Sequence, residues 1–442
     1  MMMIQYPPAP QANPVYSVEL TANPRLWGPY FTHDPAVLRD PVTGVYYAYS
    51  TDMGVRQGVK PGIQVRRSTD LMTWEHLGQA IPEGIDPDVQ DMTSAMNLWT
   101  PDVIFCNGKY RMYYAASTFG SQVSAILMAQ AERPEGPFIH KGVVLQSQKG
   151  DPVNAISPSI LQDPNDGRLW MAYGSFWGGI HLLELDPDTG YAKEPGFGTQ
   201  IAAYSPIVHG AVEGPCLRYH DGYYYLFVSC GTLSLDYHVR VGRSRKIEGP
   251  YLDYNLMEMT DREFAPEWVG TMLLASYRFQ HGQGWKAPGH ANVFEVEGEW
   301  FLTHHVRPEG SLNYTLLQTR KLVWTKDGWP VVSPVVYAGE SQQEIPVTSL
   351  VGHYERIALE PSLPQTMISS APVDFRLNGT LRLGVLGGFW RRPGEHQVTV
   401  ALAGREEKLE VLPAWDPHAH RSTLVMTGID ERGVCVWYKK LD

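Results

Sequence analysis

One unit recurs five times along this chain, and any fold must accommodate that before anything else. Each copy opens on a short apolar run beside a proline, turns, and returns as an aromatic-rich run. The five are HDPAVLRDPVTGVYYAYSTD, TPDVIFCNGKYRMYYAAS, SPSILQDPNDGRLWMAYGSF, EGPCLRYHDGYYYLFVSC and APGHANVFEVEGEWFLTHH. Asn107-Gly108, Asp166-Gly167 and Asp221-Gly222 read as hairpin turns, because glycine takes a positive φ at no steric cost. A third run recurs as GIQVRRSTD, SAILMAQAE, HVRVGRSRK and TLLQTRKLV, and a fourth around WEHLG, EGPFIHKG, EGPYLDYN and DGWPVVSP. With Pro35, Pro101, Pro158, Pro215 and Pro288 as opening residues the units lie 57 to 73 residues apart, which suits four-stranded propeller blades with insertions. Long helical periodicity is missing, which removes α/β barrels.

Beyond Glu340 the pattern changes to shorter alternating runs, TLRLGVLGGFW, HQVTVALAG, EKLEVLPAW, STLVMTGI and GVCVWYKKL, with no blade signature. The expectation is an all-β chain: a five-bladed β-propeller over residues 1–341, then a small separate C-terminal β-barrel or sandwich domain over 342–442.

Charge and composition exclude some roles. With 36 Lys and Arg against 47 Asp and Glu the formal charge is −11, so phosphate backbones are repelled and nucleic acid is not an expected partner. Aromatic residues make up 11% of the chain, 13 Trp and 24 Tyr among them, which suits stacking on the flat apolar faces of sugars. Cys106, Cys216, Cys230 and Cys435 form no CxxC pair, and free core thiols are expected. The start MMMIQYPPAPQANPVYS lacks a basic segment followed by an apolar run, and no run of about 18 apolar residues follows, so a membrane span is not expected. The chain as given reads as cytoplasmic, although a chain already relieved of a signal peptide would look the same. Its oligomeric state is not legible.

In a propeller the first strand of each blade lines the central channel, so residues just before it crowd around one mouth. Those positions are Asp34, Thr100, Ser157, Glu213 and His290. Two carboxylates facing across a channel are what inverting glycoside hydrolysis needs, one as general base for water and one as general acid for the leaving oxygen. Singly, Asp before Pro is a common turn opener and a Glu at a strand start is usually solvated. Their joint appearance at equivalent places of a repeat favours the chemical reading.

These motifs resemble the five-bladed arabinanases of glycoside hydrolase family 43, of the two-domain type, over nearly the whole chain. The likeness is carried by THDPAVLRD (Thr32 to Asp40), NLWTPDV (Asn97 to Val103), YYAASTFGSQVSAI (Tyr113 to Ile126), NAISPSI with YGSFWGGI, VEGPCLRYHDGYYYLFVS (Val212 to Ser229), VGRSRKIEGPY, APGHANV (Ala287 to Val293) and KLVWTKDGWPVVSP. The resemblance implies Asp34 as general base, Glu213 as general acid, and His33 as a substrate contact. It implies one Ca²⁺ ion near His290, held largely through water. Trp99, Phe119 and Trp177 are expected as platforms for arabinose rings, or else as inter-blade packing. Asn154 and Ser175 are expected to bond sugar hydroxyls.

The family's third carboxylate would stand where this chain has Ser157. A carboxylate there raises the acid's pKa by repulsion, whereas serine can orient but cannot repel. Glu213 is therefore expected to titrate lower than in relatives, unless Asp151, Asp102 or Asp163 supplies part of the missing charge. Ser159 also departs from the residue expected after the proline. The leading expectation is an inverting hydrolase of α-1,5-L-arabinan or arabino-oligosaccharides, endo-acting. The alternatives are an exo-acting α-L-arabinofuranosidase or β-xylosidase on short oligosaccharides, and a catalytically silent arabinan-binding propeller. A serine hydrolase centred on Ser157 is set aside, since no GxSxG elbow surrounds it.

Overall fold

The computed structural model describes residues 3–10, 18–53, 60–280, 282–311, 313–363 and 365–442. Among them the repeats fold as four-stranded antiparallel sheets. The first blade is Ala36–Arg39, Tyr46–Ser50, Gln64–Ser68 and Glu75–Gln79. The second is Leu98–Cys106, Lys109–Ala116, Ser124–Ala131 and Ile139–Ser147. The third runs Ser159–Gln162, Leu169–Tyr173, Ile180–Leu185 and Thr199–Ala202, and the fourth Val212–His220, Tyr223–Cys230, His238–Ser244 and Thr271–Leu274. The fifth is Trp285–Val296, Glu299–Pro308, Leu316–Trp324 and Pro330–Val332, within a six-stranded sheet that Tyr277–Arg278 and Ile368–Ser369 extend beyond its first strand. First strands of successive blades contact one another around the full circle, the last against the first, so they form the inner wall.

Two of the expected hairpin turns have positive φ at both central residues, Asn107 with Gly108 and Asp221 with Gly222. At Asp166-Gly167 only the glycine does, and the strands are joined by a longer loop, because Asp163 caps it by accepting from the Asn165 N–H at 2.9 Å.

A ring of side-chain bonds joins the blades near the axis. The Asp102 carboxylate accepts from Ile160 N–H (2.7 Å), the Ser159 hydroxyl from Leu217 (3.2 Å), the Cys216 thiol from Val293 (3.2 Å) and the Asn292 amide from Val37 (3.1 Å). The fifth link is broken because Ala36 has no acceptor, and Val103 N–H turns to the other oxygen of Asp102 (3.0 Å). Each link removes a buried unpaired amide, whose cost otherwise is about 1–3 kcal/mol. Ser159 thus has a role in closing the circle.

This ring also corrects the register of the fifth unit. Asp34, Thr100, Ser157, Gly214 and His290 all take a left-handed backbone, with φ of 49°, 46°, 57°, 56° and 50°. The fifth blade therefore opens at His290-Ala291, and Pro288 lies three residues ahead of the place the other prolines hold.

The C-terminal segment is a closed eight-stranded barrel, running from Gly352–Ala358 to Cys435–Lys440, which pair with each other to seal it. Tyr354, Phe375, Trp390, Val400, Met426 and Tyr438 are among its packed apolar residues. It is a barrel rather than a sandwich, and it is not separate. Ile368–Ser369 adds a parallel strand to Tyr277–Arg278 at the edge of the fifth blade, and Ile357, Leu412 and Trp437 share one core with Trp329, Val332 and Tyr277. The four cysteines are free and buried, and no helix among the described residues is long and apolar enough to cross a membrane.

Candidate active site

The left-handed turn at the head of each first strand bends the backbone so that the residues there face the channel axis. Asp34 is 6% exposed. Its Oδ2 accepts from the Thr51 hydroxyl at 2.6 Å, and its Oδ1 lies 2.9 Å from His33 Nδ1 and 3.2 Å from His290 Nδ1. Its own N–H donates to His305 Nδ1 at 3.2 Å. Burial opposes ionisation of Asp34, but the adjoining His33 and His290 outweigh it and hold the carboxyl well below the usual carboxylate range. Burial, with His33 beside it, pushes the His305 imidazole down to about 3, so that ring is neutral and fit to accept.

Glu213 precedes the left-handed Gly214 by one residue. Both carboxylate oxygens have donors: Ser175 Oγ to Oε2 and Tyr237 Oη to Oε1, each at 2.9 Å. Ser175 is held there by a backbone bridge to Glu213 itself. Burial and the charge of Asp34 raise the Glu213 pKa against these donors. The two carboxyls are thus driven apart in pKa, one toward the ionised and one toward the protonated form, as an acid and base pair requires.

Three rings connect the two carboxyls. His33 stacks on His305 at 4.1 Å between centroids, and His305 lies parallel to Tyr237 at 5.7 Å. The close packing explains two glycines. A Cβ on Gly289 would stand 2.0 Å from the Tyr237 ring, and one on Gly214 would stand 2.8 Å from His290 Nδ1. Thr51, Tyr237 and His305 are the functional candidates that sequence reasoning missed; THH of the fifth repeat and LDYH after the fourth were the available signals.

Ser157 is 2% exposed, and its N–H donates to Thr100 Oγ1 at 3.2 Å. Thr100 N–H in turn donates to Thr51 Oγ1 at 2.8 Å, so the position is linked through Thr51 to Asp34. The three aspartates considered as substitutes for its missing charge have other tasks. Asp102 closes the inter-blade ring, Asp163 accepts from the Tyr224 hydroxyl at 2.6 Å beyond the far end of its strand, and Asp151 accepts from Gln148 N–H at 2.7 Å in a loop. The charge that raises Glu213 comes from Asp34.

Phe119 and Trp177 lie on the loops joining second to third strands of adjacent blades, at this mouth of the channel, and are 84% and 42% exposed. Trp99 is half-buried, its indole N–H donating to Asn97 Oδ1 at 2.8 Å. Asn154 is buried and its Oδ1 accepts from Ser124 Oγ at 2.7 Å, so this oxygen is engaged by protein, as the Ser175 hydroxyl is by Glu213.

Among the described residues, the group of metal-ligating side chains whose donor atoms converge is His33, Asp34 and His305, all buried and within 4.8 Å of one another. His290 is outside it. Two imidazoles and one carboxylate suit zinc-like ions better than calcium, which takes six to eight oxygens. The converging residues therefore do not form a calcium cage.

The family model described as glycosyl hydrolases family 43 matches residues 23–330, and that of a C-terminal lipocalin-like domain matches 334–438. Extracellular endo-alpha-(1->5)-L-arabinanase 2 of Bacillus subtilis (strain 168) is 30% identical over 451 residues, covering 92% of each chain. The crystal structure of endo-1,5-alpha-L-arabinanase from Thermotoga petrophila RKU-1 in complex with TRIS superposes with a TM-score of 0.84 at 29% identity, over 93% of this chain and 99% of that one. The Cellvibrio cellulosa alpha-L-arabinanase complexed with arabinohexaose gives 0.59 at 28% identity, over 69% of this chain and 95% of that one. With its propeller and its barrel both accounted for in this way, the chain belongs to glycoside hydrolase family 43.

Proposed function

We propose that this protein hydrolyses α-1,5-L-arabinan by inversion, as an endo-acting glycoside hydrolase. The observation that carries this reading is the pair of carboxyls, buried Asp34 and partly buried Glu213, on different blades at one channel mouth with oppositely shifted pKa values. Ionised Asp34 takes a proton from water as the water oxygen attacks the anomeric carbon. Protonated Glu213 gives its proton to the departing oxygen, and the sugar is released with inverted configuration. Thr51 and His33 orient the base, and Ser175 and Tyr237 orient the acid. The relatives described as endo-arabinanases and the arabinohexaose complex of a related arabinanase support arabinan as substrate. Exposed Phe119 and Trp177 on adjacent blades suit a chain lying across the mouth, which favours internal attack over release of single sugars.

Calcium takes no part in these steps, which Asp34, Glu213 and their hydrogen-bond partners carry. The test is a time course of products from linear α-1,5-arabinan, with the anomer of the new reducing end followed by NMR. A ladder of oligosaccharides with inverted configuration is expected. Arabinose alone would replace the endo reading with an exo-acting enzyme, and binding with no product would leave a silent arabinan-binding propeller.

A further inference from the structure

Ser276 lies on the connection between the fourth and fifth blades and is fully buried. Its hydroxyl joins two stretches of chain, each of which carries a neighbour of the catalytic carboxyls. It donates to the Leu235 carbonyl at 2.7 Å and accepts from the Ala287 N–H at 2.9 Å. Leu235 shortly precedes Tyr237, the donor to Glu213. Ala287 shortly precedes Gly289, against which the Tyr237 ring packs, and His290, which stands beside Asp34.

Both bonds fall where the backbone needs them. The strand Trp285–Val296 shifts register twice against Glu299–Pro308, between Lys286 and Gly289 and again between Gly289 and Asn292. Each irregular stretch holds a residue with a left-handed backbone, Ala287 and His290, both with φ of 50°. A residue with a Cβ keeps that backbone only where its surroundings hold it. Here the N–H of each goes to a serine hydroxyl, Ala287 to Ser276 and His290 to Ser229 at 2.7 Å. The loop over 231–237 is tied internally by Asp236, which accepts from Thr232 N–H at 3.0 Å and from the Ser234 hydroxyl at 2.9 Å. Outward it is held at Leu233 by Arg307 and at Leu235 by Ser276. Ser276 is itself fixed from the barrel: its carbonyl accepts from Ile368 N–H at 2.9 Å, and next to it Ser370 N–H donates to the Arg278 carbonyl at 3.0 Å and Gln280 N–H to Ser370 Oγ at 3.0 Å. A hydroxyl that donates and accepts at once cannot turn away without orphaning a buried carbonyl or amide.

We propose that Ser276 is a positioning residue for the hydrolysis put forward above, on which this role rests: by bridging Leu235 and Ala287 it fixes Tyr237, and through Tyr237 it holds the general acid Glu213 where the proton is delivered. A serine that only stabilised the fold would affect every substrate alike. One that positions the acid matters where the departing oxygen needs a proton and not where it leaves readily without one.

The experiment compares the full chain with Ser276→Ala and with Ser276→Cys, whose thiol fills the space but bonds weakly. The substrates are linear arabinan and the para-nitrophenyl glycoside of arabinotriose, whose nitrophenolate departs without a proton. On arabinan kcat is expected to fall about 10- to 100-fold in Ser276→Ala with KM little changed, and by less in Ser276→Cys, while on the nitrophenyl glycoside both stay within about threefold of the parent. Amide hydrogen exchange followed by mass spectrometry should be faster over 231–237 and 285–290 in the variants and unchanged in the first three blades. Equal losses on the two substrates, a change in KM alone, full activity on arabinan, or unchanged exchange over 231–237 would each overturn the role. If Ser276→Ala does not fold, Ser276→Cys decides by the same criteria. A parent that cleaves neither substrate would refute the hydrolytic reading instead, and exchange over 231–237 would then decide by itself whether Ser276 fixes the loop.

Discussion

Replacing Tyr237 by Phe removes one atom that matters. The ring keeps its place over His305 and against Gly289, while the hydroxyl that donates to Glu213 Oε1 at 2.9 Å is gone. A hydrogen bond to a charged group contributes about 1.5–3 kcal/mol and a neutral one about 0.5–1.5 kcal/mol, so the hydroxyl favours ionised Glu213 by about 1–1.5 kcal/mol. One pKa unit corresponds to about 1.4 kcal/mol, and the acid should therefore titrate about one unit higher in Tyr237→Phe. The direction follows from the roles. Activity is lost at high pH when Glu213 gives up its proton, so a higher pKa moves the alkaline limb upward, while the acid limb, set by Asp34, stays where it is. Initial rates of reducing-sugar release from linear arabinan, measured as kcat/KM from acid to alkaline pH, report these limbs for the free enzyme. Ser175→Ala, which removes the donor to Oε2, should move the same limb the same way. An alkaline limb that moves down in either variant, or that stays in place with the rate unchanged, would refute Glu213 as the proton donor held between these two hydroxyls. A fall in rate at every pH with unchanged limbs would refute the electrostatic part and leave only positioning.

Ser157→Asp should also raise the alkaline limb, since it adds a negative charge at the head of the adjacent first strand; because the side chain is buried, the melting temperature should fall at the same time, as followed by calorimetry. Gly289→Ala forces a Cβ into the Tyr237 ring and should cost about 1–3 kcal/mol in chemical denaturation, with the alkaline limb shifted as in Tyr237→Phe. Added Zn²⁺ should inhibit, by engaging His33, Asp34 and His305 and taking the base out of action, and chelation should restore the rate; His305→Gln should be much less sensitive.

The blades were legible because a strand, a tight turn and a returning strand are local events. Asn107-Gly108 and Asp221-Gly222 specify their hairpins within four residues. Asp34 and Glu213 were legible for a related reason, since each sits beside the proline or glycine that opens its blade. Pro288 misled the reading of the fifth blade, because a proline marks a bend but not which of several nearby residues takes the left-handed turn; Asn292 bonding to Val37 shows that this residue is His290. Asn154 and Ser175 were read as sugar contacts from motif alone, while their protein partners Ser124 and Glu213 are visible only in the folded chain. Thr51, Tyr237 and His305 come from three different blades, Thr51 just beyond a second strand, Tyr237 just before a third strand and His305 within a second strand, and short signals such as THH and LDYH do not say that the three meet.

By itself, then, the amino-acid sequence determined the repeating unit, the all-β class and the placing of one acid at the head of each of two blades, because these depend on backbone preference and on pattern over a few residues. Only the closed circle of blades decided the protonation states on which the chemistry turns. Asp34 is held toward ionisation and Glu213 is raised because burial, the adjoining His33, and the fields of His290 and Asp34 across blades far apart in the chain act together, and no stretch of sequence contains that sum.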